Sequence, residues 1–180
     1  MKIKKLVGLA AILMAFVLVL SACGAKEDPE ENNEGIANPW AEAKTAEEAA
    51  EGAKLDSFDV EGIEISLGKV EPAKYRYMTG LAEAEVPIGA VEMTIRKGDS
   101  GQTDFGDSDC SGDYNDYKYN WTEEIDGMEV FCYGNRKGES TKTAWNGEKY
   151  SFAVLAYGAG GDDDYGLPPE DVEIMVKSIK

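Results

Sequence analysis

The sequence predicts an α+β fold, in which a single antiparallel β-sheet of about six to eight strands packs against a short N-terminal helix and a C-terminal helix. Three observations support this class. Apolar and polar residues alternate repeatedly between Phe58 and Tyr157, as in antiparallel strands with one better-buried face. Asp126-Gly127 and Asn146-Gly147 are turn dipeptides between such runs. Helix signals stand on both sides of the alternating region.

The first helix is predicted to begin after Thr45, which stands three residues before Glu48 in the spacing of a capping box. Four alanines follow within the next eight residues and favour a helix, whereas Gly52 weakens it. The apolar face is thin, so we expect this helix to lie on the sheet without filling a core.

Five segments alternate with the period of two that strands require. They are Ile63, Ile65 and Leu67; Val91, Met93 and Ile95; Tyr117, Tyr119 and Trp121; Met128, Val130 and Cys132; and Tyr150, Phe152 and Val154. The two turn dipeptides accept the positive φ angles of type I′ turns. They predict two consecutive hairpins over about residues 115–157.

The C-terminal helix is predicted to begin at Pro168-Pro169, because proline suits a first helical turn. Acidic residues follow near its positive end, and Lys177 and Lys180 stand near its negative end. Its predicted core stripe has the spacing i, i+3, i+4 and i+7, and consists of Val172, Met175, Val176 and Ile179.

The N-terminus has the three parts of a secretory signal: early lysines, the apolar run Leu6 to Leu20, and small residues before Cys23. Leu20-Ser21-Ala22-Cys23 resembles a bacterial lipobox, which implies cleavage before Cys23 and a diacylglycerol on its thiol. The predicted organisation is a signal peptide (1–22), a lipidated cysteine with a disordered acidic tether (23–38) and one α+β domain (39–180). The protein is therefore predicted to be lipid-anchored on the extracytoplasmic face of the cell membrane.

Charge and composition exclude several functions. Without the signal, 15 basic residues face 35 acidic ones, and a side-chain charge of −20 repels nucleic acid. The chain contains no histidine, which removes the usual general base, the usual zinc ligand and every histidine-containing triad. No nucleophile elbow or phosphate loop is present. We therefore predict that the protein is not an enzyme.

Three segments resemble a domain of unknown function found in small Gram-positive lipoproteins and attached to membrane proteins of the anti-sigma-factor type. They are residues 109–115 (Asp-Cys-Ser-Gly-Asp-Tyr-Asn), residues 143–152 and the terminal helix, and the Asn38-Pro39-Trp40 start is similar too. The resemblance covers about residues 38–180. It implies a fold and an extracytoplasmic location, and it brings no established activity, substrate or catalytic residue.

Cys110 and Cys132 remain after lipidation of Cys23, and two cysteines outside the cytoplasm commonly form a disulfide. In the family that the chain resembles, an aliphatic residue is usual at both positions, so their joint presence also suggests pairing. We predict a Cys110–Cys132 disulfide.

The densest polar cluster matches part of a calcium-binding loop. Asp107, Asp109 and Ser111 stand at positions 1, 3 and 5 of an EF-hand, with Asp113 two residues further on. Lys118 replaces the glutamate that normally closes the shell at position 12. The candidate cofactor is thus a weakly bound Ca²⁺, and the alternative is an acidic turn whose side chains bond their own backbone.

Tyr117, Tyr119 and Trp121 form a candidate ligand-binding face for a peptide or glycan, and the alternative is a packing role. The leading functional hypothesis is a non-catalytic binding or interaction domain. Its partners would be membrane lipid, through acylated Cys23, and an unknown surface protein, peptide or glycan. A sensory or regulatory domain acting on a membrane partner and a cell-wall hydrolase are the alternatives.

Overall fold

The computed structural model describes residues 38–100 and 109–179. The predicted signal peptide (1–22), the lipidation site Cys23, the tether apart from Asn38, and Asp107 lie outside the described residues. The predictions made for them stay predictions.

One large antiparallel sheet contains eight of the ten strands seen in the described residues, and two helices accompany it. The predicted α+β fold class is therefore confirmed. The strands are β1 (Ala41–Ala43), β2 (Glu64–Ile65), β3 (Gly68–Lys69), β4 (Lys74–Met78), β5 (Leu81–Ile88), β6 (Val91–Asp99), β7 (Tyr119–Ile125), β8 (Met128–Gly134), β9 (Lys142–Asn146) and β10 (Tyr150–Gly158). The order in the sheet is β1-β4-β5-β6-β10-β9-β8-β7, and β2 pairs with β3 in a separate hairpin.

The sheet consists of two meanders, β4-β5-β6 and β7-β8-β9-β10, which join where β10 pairs with β6. Alternation did not predict the β4–β5 hairpin. The reason lies in the first half of β5, where Leu81, Ala82, Glu83 and Ala84 are all buried. A strand that is buried on both faces does not show the alternation of apolar and polar residues by which a half-exposed strand is recognised.

Both predicted helices are present. α1 (Ala46–Ala53) begins at Thr45, whose hydroxyl oxygen accepts a hydrogen bond from the backbone N–H of Glu48. The Glu48 carboxylate accepts from the N–H of Lys44, one residue earlier than a capping box requires. Gly52 has a packing reason, because a Cβ there would collide with the ring of Tyr77.

α2 (Pro169–Ser178) has proline in its first turn, as predicted. The predicted stripe of Val172, Met175, Val176 and Ile179 is buried in the main core. Both helices pack on one side of the sheet, which we call the helix face. The other side, which residues 109–118 cross, is the loop face.

The two predicted hairpin turns have different outcomes. Asp126 and Gly127 have φ angles of 50° and 78°, so the β7–β8 turn has the positive angles that type I′ requires. The type I′ prediction for Asn146-Gly147 is wrong. Neither residue has a positive φ, and Asn146 pairs with Ser151 across a four-residue loop. The pairing of β9 with β10 still confirms the second hairpin.

Candidate functional site

The structure does not bring the predicted aromatic ligand-binding residues onto one surface. Tyr119 and Trp121 belong to β7, and Trp121 lies opposite Cys132 and packs against the helix-face core. Tyr117 precedes the strand and lies on the loop face, where its hydroxyl is 3.3 Å from that of Tyr157. The three residues therefore do not form the single binding face that the alternation suggested.

The candidate calcium ligands Asp109, Ser111 and Asp113 mainly bind their own backbone. An Asp109 carboxylate oxygen accepts from the N–H of Ser111, the Ser111 hydroxyl accepts from the N–H of Asp113, and an Asp113 oxygen accepts from the N–H of Asn115. The other Asp113 oxygen accepts from the hydroxyl of Tyr117. These contacts form a ladder of side-chain turns, the alternative that the sequence left open.

A lysine supplies positive charge to this loop. Lys142 Nζ lies 3.1 Å from Asp109 Oδ2 and donates to the backbone oxygen of Asp113 at 3.1 Å. Its side chain is 9% exposed and its ammonium lies over the ring of Tyr133. Within the described ranges, no group of three or more acidic, cysteine or histidine side chains is placed to hold a metal ion.

The predicted Cys110–Cys132 disulfide is not formed: both cysteines are free and buried. Cys132 faces the helix-face core, whereas Cys110 packs with Leu81 and Ala153 on the loop face. The sheet thus lies between the two thiols. Burial is the largest cause of the raised pKa values, about 12 for Cys110 and about 11 for Cys132.

The loop face also carries a buried ionic cluster around Glu83, a fully buried carboxylate on β5. Arg76 and Arg96, on the two neighbouring strands, each form an ion pair with it. Trp40 lies over both guanidinium groups, at 4.8 and 5.5 Å from its ring centroid. Arg96 also donates to the backbone oxygen of Ser111 and so attaches the 109–118 segment to the sheet. Every charge in this cluster has a partner, which indicates a structural role.

A different arrangement occurs on the helix face, in a groove of about 470 Å³. We call it the Lys97 groove. It lies between residues 56–57, the β9–β10 hairpin and the C-terminal part of α2. Its lining residues are Asp56, Ser57, Lys97, Asp126, Met128, Trp145, Gly147, Glu148, Lys149, Tyr150, Phe152, Val176, Lys177 and Ile179. The volume lies in the range of small-molecule sites.

Aromatic rings form one wall of this groove. Trp145 and Phe152 occupy paired positions on β9 and β10, and their rings stack with centroids 5.2 Å apart. Tyr150 is half-buried at the start of β10, and its hydroxyl accepts from the backbone N–H of Asp56. The Tyr150 ring and this hydrogen bond hold residues 56–57 beside the sheet.

Lys97 is the distinctive residue of the groove. It continues the Val91, Met93, Ile95 alternation of β6, so its side chain faces the core, and the residue is only 2% exposed. Its ammonium donates to the backbone oxygen and the hydroxyl of Ser57, at 2.7 and 3.2 Å, and lies 4.2 Å from the centroid of the Tyr150 ring. Among the described residues no carboxylate lies within salt-bridge distance of it. Burial lowers the pKa of Lys97, because desolvation disfavours its charge.

The rim of the groove carries two further lysines whose charges are matched. Lys149 pairs with Asp56 at 2.8 Å, and Lys177 pairs with Asp126 at 3.5 Å. The hydrogen bond from Lys149 lowers the pKa of Asp56, so this carboxyl stays ionised. With Glu148 the groove lining holds three carboxylates and three lysines, and Lys97 is the one buried among these charged side chains.

The signal for this site was present in the sequence. A lysine at a core-facing strand position is unusual, because lysine is almost never fully buried unless paired. What the sequence did not supply was Ser57, which comes from a segment 40 residues away and contributes both oxygen acceptors.

A second hollow lies under α1 and is acidic, with Glu47, Glu51, Asp56 and Asp59 among its lining residues. The pKa of Glu47 is lowered by a hydrogen bond within its own residue, and that of Asp56 by Lys149. Acid–base hydrolysis by two carboxylates needs one whose pKa is raised. These two lowered values give no support to such a pair in this hollow.

No known family model, curated protein or solved structure matches this chain. The described helices are all too short to traverse a lipid bilayer. The resemblance to a lipoprotein domain family therefore stays a prediction from residues 38–180.

Proposed function

We propose that this protein is a lipid-anchored, extracytoplasmic domain that binds a small ligand in the Lys97 groove without transforming it. The anchor rests on the Leu20–Cys23 sequence, where an apolar signal ends in small residues and a cysteine. A diacylglycerol supplies two acyl chains, and two anchoring signals are what stable membrane attachment requires. The domain would then present its groove to molecules outside the cell.

The observation that carries the binding role is Lys97, a buried lysine that lines the groove and, among the described residues, has no carboxylate within salt-bridge distance of its ammonium. A desolvated charge without a direct ion-pair partner costs folding free energy, and such groups concentrate at functional sites. The stacked Trp145 and Phe152 supply an apolar wall next to it. Apolar lining with a few placed polar groups is the usual composition of a ligand site.

Binding is better supported than hydrolysis. The sequence has no histidine, and two of the three carboxylates that line the groove, Asp56 and Asp126, are engaged by lysines. The Ser57 hydroxyl lies near an amine, but Lys97 donates more closely to the Ser57 backbone oxygen, at 2.7 Å. Two oxygen acceptors favour the ammonium form of Lys97, whereas only the free amine could act as the base that activates a serine.

The anchor is tested by metabolic labelling with a fatty-acid analogue in the wild type and in Cys23→Ala. We expect label on the wild type alone, and we expect no mature lipoprotein form of the variant in the membrane fraction. Equal labelling of the two would contradict the anchor.

The groove is tested by NMR titration of the isotope-labelled chain with a set of small acids, amides, amines and sugars. We expect at least one class of probe to shift the resonances of Lys97, Tyr150 and Gly147, and to leave those of Tyr133 and Tyr157 on the loop face unchanged. If every probe leaves the groove resonances in place, the binding role is wrong.

A further inference from the structure

The Ser57 hydroxyl has a fixed orientation that bears on the ligand. Its oxygen accepts a hydrogen bond from Lys97 Nζ at 3.2 Å. A hydroxyl that accepts from an ammonium keeps its own hydrogen for another acceptor. Ser57 is an exposed residue and lines the Lys97 groove, so this hydrogen is available on the groove side.

The charge behind this hydroxyl strengthens it as a donor. Lys97 donates to the Ser57 hydroxyl oxygen, and this contact with a positive charge polarises the Ser57 O–H bond. Hydrogen bonds between a donor of this kind and an anion are shorter and stronger than neutral ones. An acceptor that carries negative charge would therefore gain most at this point.

The rim does not cancel this preference. Asp56 is the acidic residue next to Ser57, and its carboxylate is already paired with Lys149 at 2.8 Å. Asp126, on the other side, lies 3.5 Å from Lys177. Glu148 is a third acidic lining residue, so three carboxylates stand with three lysines along the groove, and the preference rests on the contact of Lys97 with Ser57 and not on an excess of positive charge.

The remaining lining specifies what is attached to the anion. Met128, Val176 and Ile179 form an apolar side, and Trp145 with Phe152 form the aromatic wall. A ligand whose apolar or aromatic part is the size of a few rings would fill this groove of about 470 Å³ next to the Ser57 hydroxyl. A bare inorganic anion would leave these surfaces unused.

We propose that the Lys97 groove binds a small carboxylate with an apolar or aromatic body, and that the Ser57 hydroxyl, oriented by Lys97, receives the carboxylate. This inference rests on the proposed binding function and adds the ligand class and the recognition pair. Ser57 contacts the ligand, and Lys97 acts through Ser57 as the positioning residue.

The test compares matched probes that differ only in charge, namely N-acetylphenylalanine and N-acetylphenylalaninamide. Both are titrated by NMR into the full chain purified in detergent, at constant ionic strength. We expect the carboxylate to bind at least about tenfold more tightly than the amide, because hydrogen bonds to charged groups exceed neutral ones by this order. The shifted resonances should be those of Ser57, Lys97 and Tyr150.

Two variants test whether the preference for the carboxylate probe depends on Ser57 and Lys97. Ser57→Ala removes the hydroxyl from an exposed position and should bring the carboxylate-to-amide ratio close to one. Lys97→Met keeps an unbranched side chain and removes the charge, with the same expected result. Lys142→Met is the matched control, because Lys142 is also a buried lysine over a tyrosine ring but lies on the loop face. It should keep the tenfold ratio.

The outcomes separate the two proposals. If the amide or a neutral analogue shifts the groove resonances as strongly as the carboxylate, the groove binds ligands but the ligand class is wrong. If Ser57→Ala keeps the tenfold ratio, the assignment of Ser57 is wrong even if Lys97→Met fails to fold. If neither probe nor any other small molecule shifts the groove, the proposed function itself fails, and Lys97 serves only the fold.

Discussion

Replacement of Glu83 by glutamine is the sharpest test of what holds the loop face together. The carboxylate is fully buried and forms ion pairs with Arg76 and Arg96, whose side chains are 29% and 14% exposed. Glutamine has nearly the same shape but no charge, so the substitution leaves two cations without their shared partner. Removal of one member of a buried ion pair typically costs about 3–5 kcal/mol.

Partial exposure of Arg76 lowers that figure, because solvent screens a charge that reaches the surface. We therefore expect Glu83→Gln to lower the free energy of unfolding by about 3 kcal/mol, which for a domain of this size is a loss of roughly 10 °C in Tm. Urea unfolding followed by tryptophan fluorescence measures the free energy directly, and thermal unfolding gives the Tm.

Glu85→Gln is the matched control. Glu85 pairs with the same Arg76, at 3.3 Å, but its side chain is 40% exposed. An ion pair of that kind contributes about 1 kcal/mol or less. Equal losses in the two variants would refute the reasoning, because the result would then depend on Arg76 alone and not on burial of the carboxylate.

Four further predictions concern other parts of the fold. Burial raises the pKa of Cys110 to about 12 and that of Cys132 to about 11, so both thiols should resist iodoacetamide at neutral pH in the folded protein. Both should react fully after unfolding without reductant, and thiols that stay unreactive in the unfolded chain would indicate a disulfide. Burial lowers the pKa of Lys97, so the unfolded chain keeps this proton to higher pH than the folded protein, and the free energy of unfolding of the wild type should rise relative to Lys97→Met as the pH increases towards the ordinary pKa of 10.5. A difference that shrinks as the pH approaches 10.5 would oppose this assignment. Gly134→Ala places a methyl group against a backbone carbonyl across the loop and should cost about 3 kcal/mol in urea unfolding, whereas a loss below about 1 kcal/mol would mean that the loop yields easily. Millimolar calcium should change the Tm of wild type and Asp109→Ala equally, because Lys142 already supplies a cation to Asp109, and a gain confined to the wild type would restore the calcium hypothesis.

Much of the fold could be predicted because local patterns and tertiary packing agree. Thr45 caps α1, the four apolar residues of the α2 stripe are buried, and β6 and β8 follow the predicted alternation. In β10, Phe152 and Val154 face the main core as predicted, but the strand is covered on both faces and does not alternate in burial. Each of these features depends on residues close in sequence. The edge strand β1 has only three residues, too few for any alternation to mark.

The site predictions failed where distant residues decide the outcome. Asp109 and Asp113 looked like metal ligands, but Lys142 comes from β9, about thirty residues later. Cys110 and Cys132 looked like a pair, but the loop that carries Cys110 crosses the other face of the sheet. Spacing along the chain does not reveal which face a loop will cover.

The pairing of β10 with β6 also sets the order in which the sheet can be completed. The residues that lie opposite each other at one end of this pair, Asp99 and Tyr150, are separated by fifty residues of chain. At a synthesis rate of about 5–20 residues per second, β6 presents an open edge for roughly 3–10 s before its partner exists. Open strand edges recruit other chains, so this interval is the one in which a newly made molecule is most exposed to aggregation. The slow step of refolding should accordingly be the joining of the two meanders, and amides in β6 and β10 should become protected from hydrogen exchange together, later than those in the β7–β8 hairpin.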